Sequence, residues 1–237
     1  MKKLIMICIS LACMVMVTAC NIGEENRNGY SDQPDETPTP KVTAPAEEPG
    51  TDEQLPEDSQ TGDEEDLLLC TDFYPFMSAA EYVYEGSGNE YASFRTTYEY
   101  LDPVGGRMQT RTNNGGTETV RVLEYKDGKL MITKTVPEYY SRDNLLDSAQ
   151  DEEAEILLME PLIPGTSWEL PDGRKRIITA SDVLIETPSG NYRTLEVTTE
   201  SEDSIVKDYY ARNTGLVKSL FLTGDYEVSS SLSQINR

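Results

Sequence analysis

Short runs of alternating hydrophobic and polar residues fill the chain from about residue 80 to its end. In one run, Ala92, Phe94, Thr96, Tyr98 and Tyr100 share one parity and therefore one face of an extended strand. Alternation with a period of two and a polar second face is typical of antiparallel sheets with one wet side. The pattern therefore predicts β-structure over most of this region.

The same alternation recurs in the second half of the chain. Leu195 and Val197 share one parity, opposite to the polar residues between and beside them. Ile177, Val183 and Ile185 also share a parity, which places them on one face if the strands there are regular. No comparable helical period extends over a long segment. Residues 142–155 are the best candidate for a short helix, and a charged loop is an equal alternative.

Turn signals containing glycine separate the runs and define their ends. Asp-Gly, Asn-Gly and Ser-Gly pairs supply the backbone conformations that tight hairpins need. These signals predict about a dozen strands, near residues 80–85, 91–101, 106–112, 117–126, 129–136, 155–159, 174–180, 182–187, 191–200, 204–211, 215–222 and 226–233.

The fold class predicted from these elements is all-β. Consecutive strands joined by short hairpins give a meander, and a twisted sheet of a dozen strands must curl, split or close. We therefore expect a curved antiparallel meander sheet or a partly closed barrel, preceded by a disordered linker. A two-sheet sandwich with Greek-key connections is the competing layout.

The first twenty residues have the organisation of an export signal. Lys2 and Lys3 precede an apolar run from Leu4 to Val17, which is too short for a membrane-spanning helix. The following Val-Thr-Ala-Cys string resembles the lipobox of bacterial lipoprotein signal peptides. That resemblance implies that residues 1–19 are removed and that Cys20 becomes a lipidated N-terminus. A plain secretory signal, or a core helix with a chance cysteine, is the alternative.

Residues 20–66 are predicted to be a disordered linker behind this cysteine. From residue 21 to residue 66 there are fifteen acidic residues, two basic residues and six prolines, with few large apolar side chains. Such a segment cannot bury enough surface to offset the entropy of ordering it. A solvated spacer is the favoured reading, and a tail that binds cations or a partner is the alternative.

Residues 67–237 form one β-rich extracytoplasmic domain by length and composition. Of the net charge of −23, the signal contributes +2 and the linker −13, so this domain carries −12. With no basic patch in the sequence, we expect neither nucleic-acid binding nor direct adhesion to anionic lipid. The expected location is the outer face of the cell membrane, with membrane lipid held through Cys20.

A family resemblance covers residues 160–220. The strings that carry it are Gly165 to Trp168, Pro188 to Tyr192, Tyr209 to Ala211 and Gly215 to Lys218. Their order resembles a pattern in uncharacterised lipoproteins of Firmicutes, which implies an exported β-sheet domain and no catalytic residues. At the level of fold analogy, a curved sheet of this kind is similar to the lipoprotein carriers LolA and LolB.

The side-chain inventory excludes most familiar catalytic and metal sites. The sequence has no histidine, which removes Ser-His-Asp and Cys-His arrangements and imidazole zinc sites. Cys70 is the one cysteine left in the domain and could pair between chains or stay free. It follows three leucines, so a buried small hydrophobe is the favoured reading. Ser204 and Lys207 have Ser-x-x-Lys spacing, but in a strand they face opposite sides.

Carboxylates offer the remaining chemical possibilities. Pairs among Asp172, Glu186, Glu196 and Glu200 could hydrolyse a glycoside, although chance pairs are expected among so many acids. A second group of acids could bind calcium and consists of Asp143, Asp147, Asp151, Glu152 and Glu153. It lacks the residue spacing of a calcium-binding loop. We therefore assign no catalytic, cofactor-binding or metal-binding residue from the sequence.

The function predicted from the sequence is that of a membrane-anchored, non-enzymatic binding or interaction domain. Its partner could be a cell-envelope protein, a glycan or a lipid. One alternative is a small cell-wall hydrolase that uses paired carboxylates, and another is a carrier that holds an acyl chain in a concave sheet. A shallow polar surface would favour the interaction domain, and a deep polar groove with apposed carboxylates would favour the hydrolase. A dry apolar concavity would favour the carrier.

Overall fold

Twelve antiparallel strands make up the domain, as the sequence pattern predicts. The computed structural model describes residues 68–76 and 80–237, and the predicted signal and linker lie outside these residues. The elements are α1 (Cys70–Phe73), β1 (Glu81–Ser87), β2 (Phe94–Asp102), β3 (Arg107–Asn113), β4 (Glu118–Lys126), β5 (Lys129–Pro137), β6 (Glu155–Met159), β7 (Ser167–Glu169), β8 (Lys175–Thr187), β9 (Gly190–Glu200), β10 (Ile205–Ala211), β11 (Gly215–Thr223) and β12 (Tyr226–Asn236).

The strands form one sheet in meander order. Strands β1 to β6 pair successively, strands β7 to β12 do the same, and β1 pairs with β12 to join the two halves. The order from edge to edge is β6-β5-β4-β3-β2-β1-β12-β11-β10-β9-β8-β7. The sheet curls into a nearly closed barrel, which confirms the predicted architecture and rules out the two-sheet sandwich.

Side chains connect the two sheet edges where backbone pairing stops. The indole N–H of Trp168 on β7 donates to the carbonyl oxygen of Ile156 on β6 at 3.0 Å. Arg176 on β8 donates to the same carbonyl, and its guanidinium binds the Glu155 carboxylate at 2.8 Å. We call this side-chain junction between β6 and β7–β8 the seam.

The strand prediction fails in two places along this edge. The three-residue strand β7 was not predicted, because three residues are too few to show alternation. The predicted strands 174–180 and 182–187 are one strand, β8, which contains a bulge between Ala180 and Val183 with Asp182 at a φ of 62°. The register of β8 shifts twice, between Ile178 and Ala180 and between Ala180 and Val183, so the two shifts cancel in parity. Ile177, Val183 and Ile185 pair with Thr198, Thr194 and Tyr192, which have the same parity on β9, and the three residues therefore lie on one side of the strand.

A second bulge corrects the prediction for β2. The register shifts between Tyr98 and Tyr100, and Tyr100 pairs with Gln109 while Tyr98 pairs with Thr110. Directly paired residues share a face. Tyr98 therefore points into the barrel, whereas the Tyr100 hydroxyl donates on the outer face to the carbonyl oxygen of Arg142.

Residues 138–154, which we call the outer loop, cover the outside of β2–β5. This segment contains the proposed short helix at 142–155, and it adopts loop and turn conformations up to the start of β6. Arg111 donates to the carbonyl oxygens of Tyr139 and Ser141, and Gln109 bonds both Asp143 and Leu145. The backbone of the loop thus finds its hydrogen bonds in strand side chains instead of in a helix.

The segment 68–76, which we call the plug, crosses one end of the barrel. Cys70 N–H donates to the Glu160 carboxylate at 2.8 Å, and Asn213 N–H donates to the Asp72 carbonyl oxygen at 2.6 Å. Gly128, whose carbonyl oxygen lies 3.7 Å from the Cys70 sulfur, belongs to the same end. Alternate turns of a meander lie at one end, so the plug spans the barrel from the β4–β5 turn to the β10–β11 turn.

Candidate functional site

The barrel encloses a cavity of about 340 Å³. Its walls come from both halves of the sheet, and the residue Tyr74 of the plug lies at its floor. The lining residues are Tyr74, Tyr84, Phe94, Thr96, Tyr98, Thr110, Thr112, Arg121, Leu123, Ile132, Glu155, Leu157, Arg176, Asp208, Tyr210 and Leu216. Phe94 and Leu216 line this cavity, and Leu195 and Val197 are buried in the core.

Aromatic rings form the lower part of the cavity. Tyr74 lies between Tyr98 and Tyr210, with ring centroids 6.3 Å from each. Tyr84 stacks on Phe94 with centroids 4.3 Å apart, and its hydroxyl donates to the carbonyl oxygen of Leu216. Burial raises the pKa of the Tyr84, Tyr98 and Tyr210 phenols well above their ordinary value. The rings therefore stay neutral and offer apolar faces to a ligand.

A polar wall stands beside these rings on β2, β3 and β4. The Thr96 and Thr112 hydroxyls lie 3.1 Å apart, and Thr110 pairs with Arg121 on the neighbouring strand. These side chains share the inner face because paired residues in an antiparallel ladder point the same way. The wall therefore combines three hydroxyls with one guanidinium.

Asp208 of β10 places a carboxylate on the opposite wall. It accepts a hydrogen bond from the Ser219 hydroxyl at 2.6 Å. Burial raises the pKa of this carboxyl, and the Ser219 hydrogen bond and the Arg176 charge only partly offset that effect. The cavity therefore holds an acid whose charged form the surroundings disfavour.

The second cavity carboxylate, Glu155, is already paired. Its ion pair with Arg176 belongs to the seam, and Arg176 also donates to the Thr199 hydroxyl at 2.9 Å. Glu155 is therefore engaged in the fold, whereas a glycoside hydrolase requires two carboxylates that are both free to act on the scissile bond.

The carboxylates considered from the sequence lie outside the cavity. Asp172 is in the β7–β8 turn and pairs with Arg174 at 2.6 Å, while Glu196 pairs with Lys207 at 3.2 Å. Glu186 and Glu200 are exposed strand residues. The structure does not bring these four acids together as a catalytic pair.

Three of the five acids in the acidic cluster of the outer loop are engaged by contacts within the domain. Asp143 accepts from the Tyr139 and Ser141 hydroxyls, Asp147 pairs with Arg107, and Asp151 accepts from the backbone N–H of Thr135. In the described part of the chain, no group of three or more acidic, cysteine or histidine residues is arranged to hold a metal ion.

The Ser-x-x-Lys string does not form a nucleophile site. Ser204 precedes β10 and its hydroxyl bonds Ser201 at 2.7 Å, whereas Lys207 on β10 binds Glu196. Adjacent residues of a strand point to opposite faces, so one ring of the nearby pair Tyr209–Tyr210 was expected to pack inside and the other to meet water or a partner. Both Tyr209 and Tyr210 are buried, and only Tyr210 lines the cavity.

The structure tests the prediction for one of the two cysteines discussed in the sequence analysis, Cys70, and does not test the prediction for Cys20. Cys70 is fully buried and free, as predicted, and burial together with the Glu160 charge raises the pKa of its thiol to about 12. The thiol is therefore unreactive at neutral pH. Cys20 lies outside the described residues, so its lipidation stays a prediction.

Most of the cavity residues were not identified as functional from the sequence. Thr96, Tyr98, Arg121 and Asp208 lie on three strands and carry no local motif. The one signal in the sequence is the alternation along each strand, which places these residues at inward-facing positions. Polar side chains at such positions are unusual for a fully packed core.

Comparisons with known proteins do not place the chain in a family. No family model and no curated protein sequence matches it. A Bacteroides fragilis protein, provisionally described as exported and with a YmcC-like fold, is 12% identical with a TM-score of 0.42, and the match covers 70% of this chain and 99% of that protein. A Parabacteroides distasonis protein, provisionally described as a lipoprotein, is 14% identical with a TM-score of 0.43, and that match covers 71% of this chain and 100% of the other.

These likenesses are too weak to carry a conclusion about this chain. Both organisms are Bacteroidetes, so neither comparison supports the resemblance to lipoproteins of Firmicutes. Within the residues described, no helix has the length and apolar character needed to cross a membrane.

Proposed function

We propose that the protein is an extracytoplasmic lipoprotein, anchored through Cys20, whose barrel binds a small ligand without changing it chemically. The observation that carries the binding proposal is the cavity of about 340 Å³, floored by the plug and lined from both halves of the sheet. The anchor rests on the lipobox-like string before Cys20.

The composition of the cavity suits a small ligand with an apolar body. Binding pockets usually have apolar and aromatic walls with a few polar groups that fix orientation, and volumes of roughly 300–1,000 Å³. Here aromatic rings such as Tyr98 and Tyr210 supply the walls, and Arg121 and Asp208 supply the polar groups. The volume is at the small end of that range, which favours a compact ligand over a long one.

The same lining argues against the two alternative functions. An acyl-chain carrier needs a dry apolar concavity, whereas four charged side chains border this one: Arg121, Glu155, Arg176 and Asp208. A hydrolase needs two carboxylates free to act on one bond, and Glu155 is engaged by Arg176. Binding without catalysis is therefore the function that this geometry supports best.

Two neighbouring threonines on β2 allow a matched test of the cavity. Thr96 points into the barrel, while Thr97 pairs with Arg111 on the outer face. Thr96→Trp should fill the cavity, and Thr97→Trp adds the same bulk outside. The probe is N-phenyl-naphthylamine, an uncharged dye that fluoresces when it enters an apolar site.

We expect the unmodified protein and Thr97→Trp to bind one dye molecule with similar affinity, and Thr96→Trp to lose binding at least tenfold. Circular dichroism and a cooperative thermal transition confirm that both variants fold. Absence of saturable dye binding, or equal binding by both tryptophan variants, would refute the cavity as the ligand site.

A further inference from the structure

We infer that the cavity selects ligands that carry an anionic group on an aromatic or apolar body, and that Arg121 binds the anion. This inference rests on the proposed function and specifies the ligand class of the same site. It depends on the arrangement of charges around the cavity, taken one group at a time.

Within the residues that the structure describes, Arg121 is the cavity cation without a hydrogen bond or ion pair to another side chain. It lies on β4 opposite Thr110 of β3 and lines the cavity, and its side chain is exposed to solvent and so accessible to a ligand. Arg176, the other cavity arginine, bonds Glu155, Ile156 and Thr199. A guanidinium has five N–H donors, so Arg121 retains donors for a ligand.

The Arg121 charge acts inside the barrel. It lowers the pKa of Tyr74 at the cavity floor, in opposition to the larger effect of burial, which raises that pKa. The hydroxyls of Thr96, Thr110 and Thr112 stand on the same wall and can donate to an anion held by the guanidinium. Arginine together with hydroxyl donors is a common arrangement for carboxylate, sulfonate or phosphate groups.

The two cavity carboxylates do not cancel this site. Glu155 is neutralised by Arg176 at 2.8 Å. Asp208 stands on β10, on the wall opposite Arg121, and accepts a hydrogen bond from Ser219. Among the described residues, Arg121 is consequently the cavity cation that no carboxylate pairs with.

The aromatic groups define where the rest of the ligand lies. Tyr84 and Phe94 stack on one side, and Tyr98 and Tyr210 flank Tyr74 below. A flat or compact apolar body can contact these rings while its anionic group reaches the wall of hydroxyls and Arg121. A short aromatic or alicyclic acid fits this description better than a long acyl chain.

Two dyes with the same body separate the anion from the apolar contacts. Anilinonaphthalene sulfonate carries a sulfonate, and N-phenyl-naphthylamine is the same ring system without it. Arg121→Gln removes the charge in the cavity. Arg95→Gln is the matched control, because Arg95 is exposed like Arg121 but lies on the outer face of β2 and does not line the cavity.

We expect Arg121→Gln to weaken binding of the sulfonate dye roughly tenfold or more and to change binding of the uncharged dye less than about twofold, since a charge-assisted hydrogen bond contributes at least that factor. Arg95→Gln should leave both affinities unchanged.

If Arg121→Gln weakens both dyes equally, or leaves the sulfonate dye unaffected, the inference is wrong while the proposed function stands. If neither dye binds the unmodified protein, the proposed function fails and takes the inference with it.

Discussion

At the scale of single residues, the domain has two kinds of partly or fully buried charge. Arg111 is 3% exposed and fully engaged, with Glu99 and Glu118 as ion-pair partners and two outer-loop carbonyls as acceptors. Asp208 has one hydroxyl donor and a raised pKa. The first arrangement stabilises the fold, whereas the second costs stability and leaves a polar group in the cavity.

Arg111→Met should destabilise the domain by about 3–5 kcal/mol, because it removes the buried cation of Glu99 and Glu118 and leaves them only the exposed Arg142. Chemical denaturation measures the change, and limited proteolysis should show earlier cleavage in the outer loop. Arg95→Met, at an exposed position, should change stability by less than about 0.5 kcal/mol. Equal effects of the two substitutions would show that the Arg111 network is not structural.

Asp208→Asn should stabilise the domain at neutral pH and have no such effect in acid. The folded-state pKa lies above the ordinary value of 3.8, so the ionised carboxylate destabilises the fold. Below the unfolded pKa the acid is protonated in both states and the cost is absent. As pH rises through the folded pKa, the cost reaches its full value.

Thermal unfolding of Asp208→Asn and the unmodified protein at several pH values measures this difference. The gap in melting temperature should widen from about pH 3 to about pH 7. A gap that is constant across this range, or that narrows as pH rises, would show that Asp208 titrates normally in the folded protein.

At the scale of elements, regular strands could be predicted from the sequence, and irregular ones could not. The runs that became β4, β5, β10 and β11 have clear alternation between turn signals, and their ends match to within one residue. The bulge in β2 reverses parity without leaving a sequence signal, so Tyr100 was placed on the wrong face. The four-residue helix α1 and the three-residue strand β7 are too short for any period to appear.

The seam offers a test at this scale. Trp168→Phe keeps the aromatic packing and removes the hydrogen bond to Ile156, so stability should fall by roughly 1 kcal/mol. Amide hydrogen exchange should accelerate in β6 and β7 and stay unchanged in β2 and β3. Tyr226→Phe is the control, because it removes a hydrogen bond to the Gly88 carbonyl away from the seam.

If Trp168→Phe leaves exchange in β6 unchanged, then the Trp168 contact does not hold the two edges together. The bonds from Arg176 to Ile156 and Glu155 would then maintain the seam alone.

At the scale of the whole molecule, the barrel shape followed from the strand count, but the cavity did not. A meander of a dozen twisted strands must curl or close. The cavity depends on which inward positions meet across the barrel, such as Tyr98 of β2 and Tyr210 of β10, both of which contact Tyr74. These contacts across the barrel depend on the register and the bulges of the entire sheet, and they cannot be predicted from any local stretch of sequence.

The anchor is the other whole-molecule prediction. Cys20→Ala should release the protein from the membrane fraction and block processing before residue 20, because lipid attachment requires the thiol. Cell fractionation and mass spectrometry of the N-terminus measure both effects. Cys70→Ala is the control for losing a cysteine, and it should remain membrane-bound. A Cys20→Ala protein that is processed at the same bond and stays on the membrane would contradict the lipoprotein assignment.

The claim that the barrel interior is the binding site is tested most directly by nuclear magnetic resonance. Titrating the labelled domain with N-phenyl-naphthylamine should shift the amide signals of β2, β3, β10 and the plug, whose side chains line the cavity. Contacts between dye protons and the rings of Tyr98 and Tyr210 should appear in the same spectra. Shifts confined to the outer loop or other exterior positions, with no contact to those two tyrosines, would contradict the account.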